Sequence, residues 1–192
     1  MKISKTKRNA LRPDIDLRDF SVVGPRLHKS AADFFGTSAS FCLRKHRARG
    51  AIVLRYSDSA SEKRLRVAVH TITSAVRATF NDLQDATEHG AYGIALLTAA
   101  REMGAILAER TWKGPGFDFH LLPPGRKPNQ DPDDIFGDNW ALEVSGILEG
   151  TDADVAARLR QKRKQVAKAA KVRPTLVAVI EFSEPSTTLE LQ

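Results

Sequence analysis

Two acidic residues stand in the middle of short apolar runs whose composition is typical of β-strands. Asp118 is flanked by two phenylalanines, and Glu143 is flanked by a leucine and a valine. A carboxylate on a strand within an apolar core is costly unless it is paired, hydrogen-bonded or bound to a metal ion. The fold must therefore bring a partner to each of these acids or leave it open to solvent.

The segments around the two acids predict alternating helices and strands. Small and apolar residues follow plausible N-caps ahead of the first acid, and a basic segment opened by Thr151 or Asp152 follows the second. Runs rich in β-branched and aromatic residues indicate the strands. In order, the predicted elements are one or two helices over 81–109, strands over 105–112, 116–122 and 139–148, a helix over 151–171 and a strand over 175–182.

The chain ahead of this core predicts a β-hairpin extension. Two runs rich in β-branched residues, 51–56 and 65–69, flank a turn of serines and an aspartate. A further strand is expected around 40–45. Residues 1–37 are interpreted as a basic arm with an irregular lead-in, and residues 183–192 as a frayed tail.

Length and composition indicate one α/β domain over 38–182, with its core at about 81–182. Hydrophobic residues make up 42% of the chain and charged residues 28%, so a buried core can form and wholesale disorder is not expected. The single cysteine, Cys42, cannot form an internal disulfide, which excludes a disulfide-stapled secreted scaffold. No apolar stretch is long enough to span a bilayer, and none follows the basic N-terminus as in a secretory signal. We therefore expect a cytoplasmic protein with no membrane contact.

The charge of the chain favours a polyanionic partner. Lys and Arg number 30 against 23 Asp and Glu, a net charge of +7, which suits nucleic acid, with DNA as the first expectation. The basic residues concentrate around the predicted hairpin and on the helix over 151–171. A solvated cationic face is the alternative interpretation. The candidate nucleic-acid contacts are Arg44, Lys45, Arg47, Arg49, Arg158, Arg163 and Gln165.

The two acids also define a candidate metal site. If their strands are neighbours, Asp118 and Glu143 converge on an oxygen-rich site suited to Mg²⁺ or Mn²⁺. Such an ion polarises a phosphate and lowers the pKa of an attacking water. Alternatively, each acid pairs with a basic residue or faces solvent. Glu88 is a third candidate because it lies above a small, apolar helix face, although a helix N-terminus also favours an acid.

The helix over 151–171 places one lysine on its apolar side. Val155, Leu159 and Val166 belong to an apolar stripe, and Lys162 falls in the middle of that stripe. A lysine at such a position either extends outward to solvent or reaches a carboxylate. The second arrangement would bring a cation to the acidic pair.

Together these features resemble the PD-(D/E)xK nuclease superfamily, whose fold is called restriction-endonuclease-like. The half motifs are Pro115-Gly-Phe-Asp118 and Leu142-Glu-Val-Ser-Gly146, and the resemblance covers roughly half of the chain. It implies an αβββαβ core in which a central mixed sheet is flanked by helices. It also implies that Asp118 and Glu143 hold Mg²⁺ and that Glu88 adds a direct or water-mediated ligand.

One residue departs from the family pattern. The family places a lysine two residues after the second acid, and this chain has Ser145 there. Serine cannot supply the positive charge that orients or activates the attacking water. Some family members supply the lysine from the following helix, and Lys162 is the residue that could do so here. The implied catalytic residues are Glu88, Asp118, Glu143, Ser145 and Lys162.

Three functional hypotheses follow from these patterns. The first is a Mg²⁺-dependent nuclease that hydrolyses a phosphodiester. The second is a catalytically inactive nucleic-acid-binding or assembly subunit on the same fold, which becomes the better interpretation if Lys162 does not reach the acids. The third is a protein-interaction domain, for example in a phage-defence or toxin system, that docks through the Pro- and Asp-rich loop over 123–137. A protein partner or a homodimer would fit this third hypothesis.

Overall fold

The fold is organised around one mixed β-sheet. The computed structural model of the protein describes residues 13–47, 50–112, 116–126 and 139–192. Its strands are β1 (Ile15–Asp16), β2 (Ile52–Ser57), β3 (Glu62–Ala68), β4 (Ile106–Arg110), β5 (Phe119–Leu122), β6 (Trp140–Ile147), β7 (Thr175–Glu181) and β8 (Ser186–Leu191). Its helices are α1 (Lys29–His46), α2 (Ser74–Thr79), α3 (Leu83–Met103) and α4 (Asp152–Val166), and short 3₁₀ turns lie at Ser21–Val23 and Ala169–Lys171.

The strands of the described residues form one eight-stranded sheet in the order β1-β3-β2-β8-β7-β6-β5-β4. Strand β5 pairs antiparallel with both β4 and β6, and β6 pairs parallel with β7. The hairpin β2–β3 joins this set through β8, which is antiparallel to β7 and parallel to β2. The elements α3, β4, β5, β6, α4 and β7 follow one another in the order that the sequence predicts for residues 81–182.

Helices cover both faces of the sheet. On one face, α1 and α3 enclose a large apolar cluster to which Leu142 and Ile180 contribute. On the other face, Leu159 of α4 packs in a smaller cluster with Val177 and Val179. Because β7 is covered on both sides, all of its residues are buried. None of the described helices has the length and apolar character needed to cross a membrane.

The helices that line the later site are capped by their own sequences. The Asp82 carboxylate accepts hydrogen bonds from two backbone N–H groups in the first turn of α3, at 2.9 and 3.2 Å. This helix ends at Gly104, whose φ of 67° is a left-handed conformation that glycine adopts without strain. Thr151 and Asp154 form a reciprocal capping box that starts α4. The caps fix where each helix starts and therefore which of its residues face the sheet.

Glycines allow α3 to lie close to its neighbours. A Cβ added at Gly90 would lie 3.0 Å from the Cα of Ala39 in α1, and one added at Gly146 in β6 would lie 2.6 Å from the carbonyl oxygen of Thr87. The distance at Gly146 is shorter than real side-chain contacts and the one at Gly90 is tighter than most, so alanine at either position would require the neighbouring element to shift. The small residues of this region are therefore needed for packing.

Helix α1 is longer and more central than the sequence predicts. The strand expected around 40–45 is wrong, because these residues belong to α1. Phe35, Ala39 and Cys42 recur at helical spacing and are buried in the core. The predicted domain boundary at residue 38 therefore falls inside a helix, and the predicted lead-in contributes to the packed core.

Strand β8 forms where the sequence predicts a frayed tail, so that prediction is wrong. Residues Ser186–Leu191 pair with β7 on one side and β2 on the other. Thr187 is fully buried, and Leu189 is 1% exposed. Only its last three residues alternate between apolar and polar, and only the tertiary structure brings the partner strand β2 beside it.

Replacing the two leucines of β8 tests its position in the sheet. Leu189→Ala removes a buried side chain and should lower the free energy of unfolding by about 2–5 kcal/mol. Leu191→Ala is the matched control, because Leu191 lies on the same strand and is 50% exposed. It should change the free energy of unfolding by less than about 1 kcal/mol. Urea denaturation followed by circular dichroism measures both values, and equally small effects would show that this segment is frayed.

Candidate active site

A cavity of about 810 Å³ opens between α3 and α4. Its walls come from α3, the segment after β4, the segment before β5, the second half of β6 and α4. All five residues that the sequence predicts to be catalytic line it: Glu88, Asp118, Glu143, Ser145 and Lys162. The fold thus brings together side chains that are far apart in the sequence.

The pairing of β5 with β6 places the two strand acids next to each other. Asp118 directly precedes β5, whose first residue Phe119 lies opposite Leu142 in the antiparallel register. The backbone N–H of Asp118 donates to the carbonyl oxygen of Leu142 at 2.9 Å. Because facing residues on antiparallel strands are neighbours, this register sets Asp118 beside Glu143. The strand predicted over 116–122 starts three residues later than expected, so Asp118 lies just before its first residue.

The Asp118 carboxylate joins α3 to β6. The Tyr92 hydroxyl of α3 donates to its Oδ1 atom at 3.0 Å, and the backbone N–H of Val144 in β6 donates to its Oδ2 atom at 2.8 Å. Burial raises the pKa of Asp118, and the two hydrogen bonds together with the charge of Lys162 oppose that shift. Asp118 is therefore held by two elements at once while burial disfavours its charge.

The Tyr92 hydroxyl lies between two carboxylates. It is 2.8 Å from Oε1 of Glu88 and 3.0 Å from Oδ1 of Asp118. A phenol has one hydrogen to donate, so it can satisfy only one of the two oxygens at a time. Burial and then the charge of Asp118 raise the pKa of Tyr92, which keeps that hydrogen in place. A cation beside the two carboxylates would offset the repulsion between their negative charges.

Glu143 is almost fully buried and is paired from α4. Its Oε1 atom accepts hydrogen bonds from Lys162 Nζ at 2.5 Å and from Gln165 Nε2 at 3.0 Å. Burial and then the charge of Asp118 raise the pKa of Glu143 to about 7, although Lys162 and Gln165 oppose the shift. Glu143 is therefore a carboxyl group that can gain or lose a proton close to neutral pH. Of the two arrangements open to Lys162, the one realised is the contact with a carboxylate.

Ser145 holds an arginine at the position where the family resemblance implies a lysine. The guanidinium group of Arg158 donates to the Ser145 hydroxyl oxygen at 2.7 Å. Arg158, Lys162 and Gln165 lie three or four residues apart, so they share one face of α4. All three line the cavity. Helix α4 thereby supplies two cations where the strand itself supplies none.

The carboxylates fit a divalent cation that is held only in part by protein. Within the described ranges, no group of three or more His, Cys, Asp and Glu side chains is arranged to hold a metal ion. After burial, the charge of Asp118 is the main cause that raises the pKa of Glu143, so the two carboxyl groups lie close enough to interact. Mg²⁺ is commonly held by one or two carboxylates, while water and substrate phosphates complete its shell. Asp118 and Glu143 suit such a partly open site.

Part of the predicted nucleic-acid surface does not line the cavity. Four predicted contacts are absent from the described lining of the cavity: Arg44, Lys45, Arg47 and Arg163. The first three lie at or just beyond the C-terminal end of α1, and Arg47 pairs there with Glu184 at 2.8 Å. Arg163 points to β8, where its Nε atom donates to Glu190 at 2.7 Å.

Other predictions lie outside the described residues. These are Arg49, the basic arm over 1–12, and residues 127–137 of the loop that the third hypothesis uses as a docking surface. They stay predictions. Of the contacts predicted on α4, Arg158 and Gln165 do line the cavity, where they bond to Ser145 and Glu143.

Three further cavity residues carried no functional prediction from the sequence. They are Tyr92, Arg110 and Trp112. The available signal for Tyr92 is its position four residues after Glu88, which places both on one helix face. Arg110 stacks on Tyr92, with its guanidinium carbon 5.3 Å from the ring centre. Nothing in the local pattern marks Arg110 or Trp112, because only packing decides what lies beside the end of β4.

Removing the charge of Asp118 should lower the pKa of Glu143. The Glu143 carboxyl carbon should titrate at about 7 in the wild type and at a clearly lower pH in Asp118→Asn, because a neighbouring negative charge is gone. Carbon-13 NMR of the labelled side chain follows this titration. Asp33→Asn is the control, since Asp33 pairs with Lys29 on the surface of α1. An Asp118→Asn midpoint equal to that of the control would contradict the coupling.

The titration of Glu143 makes the free energy of unfolding depend on pH. The pKa of Glu143 is higher in the folded chain than its ordinary value of 4.5, so the folded state binds more protons between about 4.5 and about 7. The contribution of Glu143 to the free energy of unfolding should therefore fall as the pH rises through this window. Glu143→Gln should reduce that pH dependence, as measured by urea denaturation at several pH values. An unchanged slope would mean that Glu143 does not titrate in this window.

Comparison with protein-family models finds no match for the chain, and neither the curated proteins nor the solved structures match it. Its function therefore has to be inferred from the cavity itself. Three features have to be explained. They are a buried carboxylate pair, a tyrosine that hydrogen-bonds to two acids, and a pair of cations on α4.

Proposed function

We propose that the chain is a metal-dependent phosphodiesterase that hydrolyses nucleic acid, on a core arranged like that of the PD-(D/E)xK nucleases. The observation that carries the proposal is the 2.5 Å contact between Lys162 Nζ and Glu143, directly beside Asp118. Through this contact, α4 supplies the acids with the positive charge that Ser145 cannot provide. The order of α3, β4, β5, β6, α4 and β7 further supports the family resemblance.

Asp118 and Glu143 are the residues that would hold Mg²⁺ or Mn²⁺, and Glu88 on α3 would reach the ion through water, because no three such side chains of the described residues are arranged to hold it directly. When bound, such an ion polarises a phosphate and lowers the pKa of an attacking water. Carboxylates bind a metal ion in their deprotonated form. Because the pKa of Glu143 is about 7, a proton competes with the metal ion for this side chain near neutral pH.

The remaining cavity residues position these acids and meet the phosphate. Lys162 orients the Glu143 carboxylate and places a positive charge where negative charge develops in the transition state. Arg158, held by Ser145, presents further N–H donors that suit a phosphate oxygen. Tyr92 fixes the orientation of Asp118. Each role uses a contact that is already formed in the folded chain.

The outer face of α4 supports binding to a nucleic-acid backbone. Arg160 and Lys164 are exposed on this helix, which also carries Arg158 and Lys162, and Lys168 is exposed in the turn that follows it. Contacts between such side chains and phosphates carry no sequence information and weaken as salt concentration rises. The proposed activity is therefore salt-dependent and not sequence-specific.

One observation favours a second candidate, a nucleic-acid-binding subunit without catalysis. Lys162 and Gln165 both bond to the Oε1 atom of the buried Glu143 carboxylate, so this acid has a cationic partner without a metal ion. On this interpretation the acids and α4 form a structural network beneath a basic binding surface. The two candidates differ in whether a divalent ion is required.

Cleavage assays with single substitutions test the first candidate. Asp118→Asn, Glu143→Gln and Lys162→Met should each lower the Mg²⁺- or Mn²⁺-dependent cleavage rate of DNA or RNA by about a hundredfold or more, because each removes a charge from the site. Lys29→Met and Glu149→Gln are matched controls, since both residues are exposed and neither is in the described lining of the cavity. Both controls should stay near the wild-type rate. Equal cleavage rates for the wild type and Asp118→Asn would contradict the proposal.

Chelation separates the two candidates. A binding subunit should keep its affinity for a labelled oligonucleotide in excess EDTA and in Glu143→Gln, because phosphate contacts by Lys and Arg need no metal ion. An enzyme should lose cleavage in EDTA and regain it with Mn²⁺. Fluorescence anisotropy and gel analysis of the same samples give both readouts. Unchanged binding in EDTA together with no cleavage in excess Mn²⁺ would establish the second candidate over the first.

A further inference from the structure

A large aromatic side chain is exposed on the wall of the cavity that holds the acids. Trp112 is 64% exposed, and within the described residues no other exposed apolar side chain is as large. It belongs to the lining of the same cavity as Asp118 and Glu143. Single exposed apolar residues are common on protein surfaces, so exposure alone would mean little. What distinguishes Trp112 is that it lines the same cavity as the carboxylates.

The segment that carries Trp112 is fastened to the segment that carries Asp118. The backbone N–H of Thr111 donates to the carbonyl oxygen of Asp118 at 2.9 Å, and the Thr111 hydroxyl donates to the carbonyl oxygen of Phe117 at 2.5 Å. Trp112 is the next residue along the chain. The backbone just ahead of Trp112 is therefore anchored to the segment that carries Asp118.

Positive charges lie on both walls of the cavity that Trp112 lines. Arg110, two residues before Trp112, lies over the Tyr92 ring on the α3 side of the cavity. Arg158 and Lys162 lie on the α4 side, where they bond to Ser145 and Glu143. A flat exposed ring among cations is the combination with which proteins hold single-stranded nucleic acid, because the ring stacks on a base while the cations contact the phosphates.

We propose that the ligand of this cavity is a single strand of nucleic acid, with one unpaired base stacked on Trp112 and an adjacent phosphate beside Asp118 and Glu143. In a duplex, both faces of each internal base are covered by its neighbours, so an indole can stack only on a base that has left the helix. Extruding a base costs free energy that a single strand does not require. The inference rests on the proposed function in taking nucleic acid as the ligand, and it narrows the substrate to unpaired strands.

The fluorescence of Trp112 can report whether a base stacks on its ring. The chain contains two tryptophans, and the other one, Trp140, is partly buried against the core. In Trp140→Phe, fluorescence comes from Trp112 alone. Titration in EDTA with a single-stranded DNA and a single-stranded RNA of about twelve nucleotides, a length in the range of single-strand sites, should quench this emission. A blunt duplex of the same sequence should quench it far less. The DNA and RNA arms show which strand binds better.

Binding measurements separate stacking from general apolar contact. Trp112→Leu keeps an apolar side chain without a flat ring and should weaken single-strand binding by about tenfold, whereas Trp112→Phe should weaken it by less than about threefold. Val172→Ala is the control, because Val172 is 77% exposed but is not in the described lining of the cavity. It should bind like the wild type. Anisotropy with labelled oligonucleotides in EDTA measures all four affinities, and thermal melts confirm that each variant is folded.

The outcomes distinguish this inference from the proposed function. Equal affinity of Trp112→Leu and Val172→Ala for single strands, or equal quenching by single strand and duplex, would overturn the inference even if the protein cleaves nucleic acid. Quenching by single strands with no cleavage in Mn²⁺ would uphold it while the proposed enzymatic activity fails. Absence of binding to every oligonucleotide would overturn both.

Discussion

The ion pair between Lys162 and Glu143 is the interaction on which the cavity depends. The Glu143 side chain is 4% exposed in the middle of β6, and the Lys162 side chain reaches it from α4 with 18% exposed. Removing one partner of a buried pair typically costs about 3–5 kcal/mol, because the other charge is left without compensation. The pair therefore ties α4, which also carries Arg158 and Gln165, to β6 in addition to the apolar packing of α4 on β7.

A second network fixes the opposite wall. Tyr92 connects Glu88 on α3 to Asp118, and Asp118 accepts a hydrogen bond from the backbone N–H of Val144. Because the pairing of β5 with β6 ends at Phe119, that N–H needs another acceptor, and the Asp118 carboxylate provides it. The proposed catalytic acid is thus also a structural group. Rates measured on its variants have to be compared at equal fractions of folded protein.

Local periodicity was enough to predict several parts of this arrangement. Alternation along β6 put Glu143 and Ser145 on one face, and the helical stripe put Lys162 on the buried side of α4, because both patterns are set by backbone geometry. The strand predicted around 40–45 and the frayed tail over 183–192 were wrong for the opposite reason. Helix α1 is selected by its packing on α3, and β8 by pairing with β2 and β7, and neither partner is visible in the local sequence.

The sequence by itself determined the order of helices and strands in the core, the two acids within apolar runs and the lysine on a buried stripe. Only the tertiary structure decided that Lys162 meets Glu143, that Tyr92 is shared by Glu88 and Asp118, and that Trp112 stands exposed at the same cavity. It also decided the raised pKa of Glu143. The physical reason is that charges, hydrogen bonds and burial act through space, across elements whose contacts no short-range pattern encodes.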